Sequence, residues 1–413
     1  MNGNDNLVKH PKNEDEEEIE VEEESSFEDN FDEDAFKGRG SSTAAKSKMF
    51  KFMGIILIIT ILLLIILFVL STTSKKVYKY SEIETVLKNA AISYFKDYPE
   101  SLPQNEGSIV EIDSSNLVAA GKMKELSEYT AEGVVCTGTV QVQLSGGEHV
   151  YTPYLNCGDN YATVELYKKL TDGANIVTAG YGLYASNGSY IYKGEDVNNY
   201  VKLDNNLWRI IKITPTNNIV LISDAMVGYG HVWDNRYNEK KNYEAGINQY
   251  SVSRIHDYLV DLYDNPSTDK NSNENFLSNN DKTRIVNFDL CVGKRSQTSE
   301  GKDNSLECAQ KMQNQRVGLL TVSDYMAASL DPNCKTTTSK TCKNYNYLSK
   351  VTSWWLVTAD KDDNSQVYQI DSGGKIVKGD ALNYTGVRPV VYLNSNVLYR
   401  SGNGTLEKPY KVK

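Results

Sequence analysis

Histidine and cysteine are scarce in this chain of 413 residues, at four and six, and the scarcity narrows its chemistry. Only His149, His231 and His256 follow the first long apolar run, and no two have the spacing of a metal-binding pair. A Gly-x-Ser-x-Gly elbow, a Walker loop, a His-Glu-x-x-His helix and a Gly-x-Gly-x-x-Gly turn are also missing. Their absence removes the usual signatures of serine hydrolases, nucleotide hydrolases, zinc proteases and dinucleotide-binding enzymes. Ser299-Glu-Gly-Lys302 fits Ser-x-x-Lys, but it lies in a polar stretch without the companion motifs of that chemistry. The composition points to no cofactor, no metal and no nucleic-acid partner.

Long apolar runs are absent with one exception, FMGIILIITILLLIILFVL from Phe52 to Leu70. At about 1.5 Å per residue it reaches roughly 28 Å, so a single transmembrane helix is expected over 52–72. Five Lys and Arg precede it (Lys37, Arg39, Lys46, Lys48, Lys51) and three follow (Lys75, Lys76, Lys79). This bias predicts a cytosolic N-terminus and C-terminal domains outside the cell, at the membrane surface. All six cysteines lie beyond the run and none precedes it, which fits an oxidising exterior. Acidity is confined to the start: fifteen Asp and Glu stand against Lys9 and Lys12 in residues 1–36. Residues 1–51 are therefore read as a disordered cytosolic tail. Phe27, Phe31 and Phe36 could anchor a cytosolic partner.

The exported part divides by pattern. Ser81-Glu-Ile-Glu84 has capping-box spacing, and Ile83, Val86, Leu87, Ala90, Ala91, Tyr94 and Phe95 recur every three or four residues. An amphipathic helix ending before Pro99 follows. Ser108–Ile112 alternates as a short strand, and Ser115–Leu126 reads as a helix broken at Gly121. Gly133–Leu144 and Val150–Tyr154 flank Ser145-Gly-Gly-Glu148, a hairpin signal. Cys136 and Cys157 are placed to tie those strands together. The span, the helix, Tyr94-Phe-Lys-Asp-Tyr-Pro-Glu-Ser-Leu-Pro103 and the small disulfide-closed sheet resemble the globular half of type IV pilins and pseudopilins. The long acidic leader lacks the pilin processing site. Residues 77–168 are thus expected as a small pilin-like α+β domain, and 169–189, rich in Gly, Asn and Ser, as a linker.

A second domain is expected over 190–413. Leu207–Ile213 and Ile219–Ser223 read as strands, Ser251–Asp264 as a helix with Ile255, Tyr258, Leu259 and Leu262 on one face, and 266–281 as a polar loop. Val317–Ser329 reads as a strand, an N-cap at Ser323 and a helix. Ser353–Thr358, Gln366–Ile370 and Gly386–Leu393 look like late core strands. Adjacent Trp354 and Trp355 point to opposite sides of a strand, one to the core and the other outward. The blocks NNYV…LWRII, VGLLTVSDYMAAS, SWWLVT, GVRPVVYL and SGNGT…PY resemble one bacterial family, a domain of unknown function on cell-surface and secreted proteins. That domain is similar to the C-type-lectin-like fold shared with the formylglycine-generating sulfatase-modifying factors. The resemblance implies an α+β fold of that type and a surface setting, without a reaction.

Sulfatase-modifying factors need a reactive cysteine pair beside copper, whereas Cys291, Cys308, Cys334 and Cys342 lie in polar, loop-like contexts. Structural bridges suit them better. Four cysteines allow three connectivities, and the preferred one closes short loops as Cys291–Cys308 and Cys334–Cys342. Trp233-Asp-Asn235 is a scrambled form of the Trp-Asn-Asp calcium strand of sugar-binding lectins and lacks the partner loop. Tyrosine is plentiful, at 28 residues against nine Phe, and many lie in polar stretches: Tyr181, Tyr184, Tyr229, Tyr237, Tyr243 and Tyr250. Tyrosine offers large contact area at low entropic cost. A ligand-binding face is therefore expected on the polar middle, from Trp233, Tyr229, Tyr237, Tyr243 and Arg236. The leading function is a membrane-anchored surface protein whose distal domain binds a glycan or protein without catalysis. The alternatives are a structural pilin-like envelope component and an enzyme of the formylglycine-generating class.

Overall fold

The computed structural model describes residues 43–72, 75–145, 147–267, 272, 274, 276–350 and 352–413, with 43–50, 67–72 and 145 described for the backbone alone. The acidic tail over 1–42 lies outside the described residues. The chain forms two units, 1–75 and 76–413.

In the first unit, helix α1 runs Thr43–Thr72. Among the described residues no helix is long and apolar enough to cross a membrane. This overturns the single transmembrane helix expected over 52–72. The cell-membrane localisation, cytosolic N-terminus and extracellular C-terminal domains deduced from it lose their support.

The second unit is mainly β, which corrects the expected pilin-like and C-type-lectin-like α+β architecture. It begins with helix α2 (Tyr80–Asp97), strand β1 (Ile109–Asp113), short helix α3 (Ser114–Ala119), and strands β2 (Thr137–Ser145) and β3 (Glu148–Asn156). The three strands form an antiparallel sheet in the order β1-β2-β3. The three- and four-residue spacing of Ile83, Leu87, Ala90, Ala91 and Phe95 lays one face of α2 on Val140, Val142 and Leu155 of that sheet. Gly138 lets them meet closely: a Cβ there would lie 2.9 Å from both Leu87 methyls. The helix starts one residue before Ser81, and the Glu82 carboxylate caps it by accepting from the Lys79 amide at 2.9 Å. That frees Glu84, the acid of the expected capping box, to turn inward. The Cys136–Cys157 disulfide ties the start of β2 to the end of β3.

The stretch expected as a linker is folded. Gly182–Ser186 and Ser189–Lys193 form a hairpin around Asn187-Gly188, both with positive φ, at 46° and 76°. This is the type I′ turn that an Asn-Gly pair favours. The hairpin joins a nine-stranded sheet with the path Ile285–Val286, Val390–Leu393, Ile219–Ser223, Asn206–Ile213, Tyr200–Leu203, Tyr410–Val412 and Tyr399–Ser401. A five-stranded sheet orders Ile376–Asp380, Gln366–Ile370, Trp354–Ala359, Tyr384–Val387 and Val227–Val232.

The block read as one strand, Gly386–Leu393, is instead a corner between these sheets. Tyr384–Val387 belongs to the five-stranded sheet and Val390–Leu393 to the nine-stranded one. Between them Pro389 has no N–H for a ladder. The helix expected at Ser251 begins at Arg254, with the Ser253 hydroxyl accepting from the His256 amide. Thr321, rather than Ser323, caps Val322–Ala327 by accepting from the Asp324 amide at 3.0 Å. Ser323 is buried against Glu307. Both sheets and the segments between them close on one continuous core. Trp354 and Trp355 are both fully buried within it, because each face of their strand is covered. Tyr325 and the Arg388 guanidinium lie against Trp354, and Trp233 against Trp355.

Candidate functional site

The residues expected to form a binding face separate into two groups. Tyr229 is 93% exposed, and Tyr237 and Tyr243 more than half exposed. Tyr237 and Tyr243 lie on the short hairpin Tyr237–Asn238 and Tyr243–Glu244, where Tyr237 opposes Glu244 and Asn238 opposes Tyr243. Directly opposite residues share a face, so the two tyrosines project from opposite faces and make no single platform. Trp233 is fully buried, with Tyr250 at 5.7 Å and Trp355 at 5.8 Å between ring centres. This corrects its expected exposure. Arg236 donates to the buried Asp234 carboxylate at 2.8 Å, whose other oxygen accepts from the Ile247 amide. Arg236 therefore fastens its own loop.

All six cysteines are bridged, as Cys136–Cys157, Cys291–Cys308 and Cys334–Cys342. Beside the second bridge, Arg295 and Glu307 form a fully buried ion pair at 3.2 Å that also engages Ser323. Arg295 further donates to the carbonyls of Ser299 and Gly301. The polar loop carrying Ser299 and Lys302 is thus pinned by an interior cation, and Ser299 contributes its backbone to that role. Among the described residues no group of three or more His, Cys, Asp or Glu could hold a metal ion.

The best-built site centres on Arg209, which sequence reasoning passed over. The NNYV and LWRII blocks pair as antiparallel strands, with Tyr200 opposite Arg209. Buried Asn199 accepts from Arg209 Nε at 2.6 Å and donates to the Ile210 carbonyl at 2.7 Å. The guanidinium lies 3.9 Å from the centre of the Tyr200 ring and 4.9 Å from that of Tyr347, a cation–π arrangement. Asp224 stands 3.8 Å away. Few rotamers remain open to a side chain packed against two rings and held at Nε. One clue was present in the sequence: an arginine inside the otherwise apolar run Leu207–Ile213 needs compensation if that strand is buried.

Arg209 lines a concavity of about 530 Å³ with Glu195, Asp196, Tyr200, Asp224, Tyr347 and Glu407, among others. Lys350 reaches Asp196 and Glu195 at its rim, and the hydrogen bond to Asp196 holds its ammonium above the usual value. Burial pushes the Tyr347 phenol up, keeping it a neutral hydrogen-bonding group; it donates to the Ile210 carbonyl. Arg388 is fully buried on the neighbouring Val387–Val390 corner. It donates through Nε to the Ser223 carbonyl, and burial lowers its pKa to about 10. Its Nη1 has no hydrogen-bond partner among the described residues. The site can thus offer fixed donors, aromatic faces and several carboxylate acceptors to a polar molecule.

The resemblances to pilins and to C-type-lectin-like folds find no counterpart among solved structures, since none matches the chain, and no curated protein does so either. A sequence family does match, over residues 216–395, which take in Asp224, Tyr347, Lys350 and Arg388. Residues 216–395 are a DUF6273 domain, a domain of unknown function.

Proposed function

We propose that the C-terminal part of this protein is a non-catalytic glycan-binding module, with its ligand seated against Arg209. One observation carries the reading: a guanidinium clamped between Tyr200 and Tyr347 at the edge of a 530 Å³ concavity rimmed by carboxylates. Sugar hydroxyls both donate and accept. Glu195, Asp224 and Glu407 can accept from them, Arg209 and Lys350 can donate, and the partly exposed Tyr200 ring can pack on the apolar face of a pyranose. Because Arg209 is already ordered, binding costs little side-chain entropy. The bridging of all six cysteines leaves no thiol pair for formylglycine-type chemistry. It also suits an oxidising compartment, where surface glycans are met.

The test is a glycan array probed with labelled full-length protein, followed by titration of the hits. Arg209→Ala and Glu407→Ala should each weaken binding, the first by tenfold or more (about 1.4 kcal/mol). Glu407 is exposed, so its variant keeps the test informative should Arg209→Ala disturb folding. No glycan bound, or hits indifferent to both substitutions in folded protein, would refute the reading and favour a structural role in the envelope.

A further inference from the structure

A second concavity lies where the α2/β-sheet lobe meets the larger β region. It measures about 800 Å³ and is walled by α2, by β3 from Val150 to Pro153, and by the segments around Arg284 and Arg400. A neighbouring hollow of about 370 Å³ shares Arg284 and Arg400 and adds Lys202 and Lys411. Across the two stand six cations (Lys88, Lys202, Arg284, Arg400, Lys411, Lys413) and three carboxylates, Glu84, Asp204 and Asp281.

Two of the carboxylates are already neutralised. Lys413 Nζ binds the buried Glu84 carboxylate and the Tyr161 hydroxyl, and Arg284 pairs with Asp281 at 2.9 Å. Lys88, Lys202, Arg400 and Lys411 have no ion-pair partner among the described residues, and only Asp204 offsets them. Lys202 and Lys411 are also register partners on adjacent parallel strands. Like charges facing each other across a sheet destabilise it, and a bound anion would remove that cost.

We propose that this cleft binds a polyanionic glycan, a polysaccharide bearing carboxylates along its length. Charge calls for an anion of extended shape, because the cations run from α2 to the strand at Lys411. The walls favour sugar over peptide. An acidic peptide would gain most by adding a strand to the β3 edge, but Pro153 has no N–H. Two residues on, Leu155 already bonds Thr163 through both its amide and its carbonyl. The cleft instead presents side-chain hydroxyls and amides (Ser81, Thr85, Gln143, Thr152, Asn394) beside the partly exposed rings of Tyr151 and Tyr161. These suit a pyranose chain.

Full-length protein is titrated with polygalacturonate, dextran and poly-glutamate at low and high salt. Polygalacturonate should bind and weaken as salt screens the cleft, dextran should not bind, and poly-glutamate should bind at least about tenfold more weakly than polygalacturonate. The double variant Lys88→Glu with Arg400→Glu should lower polygalacturonate affinity by about tenfold or more, with an unchanged melting profile. Both side chains are exposed, so the fold should tolerate the change. Glu407→Ala, at an exposed position lining the Arg209 concavity, should leave this binding intact, which separates the cleft from the Arg209 site. No binding of polygalacturonate, or binding unmoved by the double variant, would overturn the proposal. Equal binding of poly-glutamate would overturn the glycan assignment, since charge alone would then account for it.

Discussion

Replacement of Trp233 by alanine separates a core role from a binding role at one residue. The indole is fully buried against Tyr250 and Trp355, and its Nε1 has no hydrogen-bond partner among the described residues, so its contribution is packing. Burying roughly 200 Å² at about 25 cal/mol per Å² gives an upper figure near 5 kcal/mol. Trp→Ala substitutions in cores cost about 3–5 kcal/mol once the cavity is included. In a unit of roughly 340 residues, an unfolding entropy near 2.1 cal/mol/K per residue makes each kcal/mol worth about 1.4 °C. Trp233→Ala should therefore lower the melting temperature by about 4–7 °C. Tyr237→Ala, at an exposed hairpin position, should shift it by less than about 1 °C. The assay is thermal unfolding followed by near-ultraviolet circular dichroism under non-reducing conditions. Equal melting of Trp233→Ala and the parent would refute the packing argument and return the indole to the surface.

Two further outcomes are expected. Replacing Cys136 and Cys157 together with serine opens a bridge of 21-residue separation and should destabilise the protein by about 3 kcal/mol on the chain-entropy account, read as a lower urea midpoint. Asp363 is held at about 2, below its ordinary 3.8, chiefly by the Lys241 hydrogen bond and then by Ser365. Its folded form favours ionisation, so its contribution is complete above pH 4 and lost as pH falls towards 2. Asp363→Asn should flatten stability over that window in urea titrations, and an unchanged slope would show that this pair carries no linkage.

Much of the chain was legible before folding because its signals are local. The apolar spacing from Ile83 to Phe95 marks α2, the alternation around Ser145-Gly-Gly marks the β2–β3 hairpin, and short cysteine separations match the three bridges. Polarity around Tyr229, Tyr237 and Tyr243 also matches their exposure. Each of these depends on residues a few positions apart, and period and turn chemistry are properties of such short stretches. Three of the five family-like blocks, at 317–329, 353–358 and 386–393, fall within the matched region 216–395, and the first and last lie outside it.

What only the tertiary structure decided is where each side chain ends up. Trp233 shares its polar sequence neighbourhood with exposed tyrosines, yet Trp355, more than a hundred residues later, covers it. Gly386–Leu393 reads as one strand despite Pro389, yet it divides between two sheets because its two halves meet different partners. Glu84 sits at a capping position, yet Lys413 and Tyr161 draw it inward from the far end of the chain. Arg209 became a candidate ligand contact only when Tyr200 and Tyr347 packed against it. Spacing along the chain can specify a helix or a hairpin. Burial, charge compensation and clefts are sums over neighbours, and those neighbours exist only once distant segments have packed.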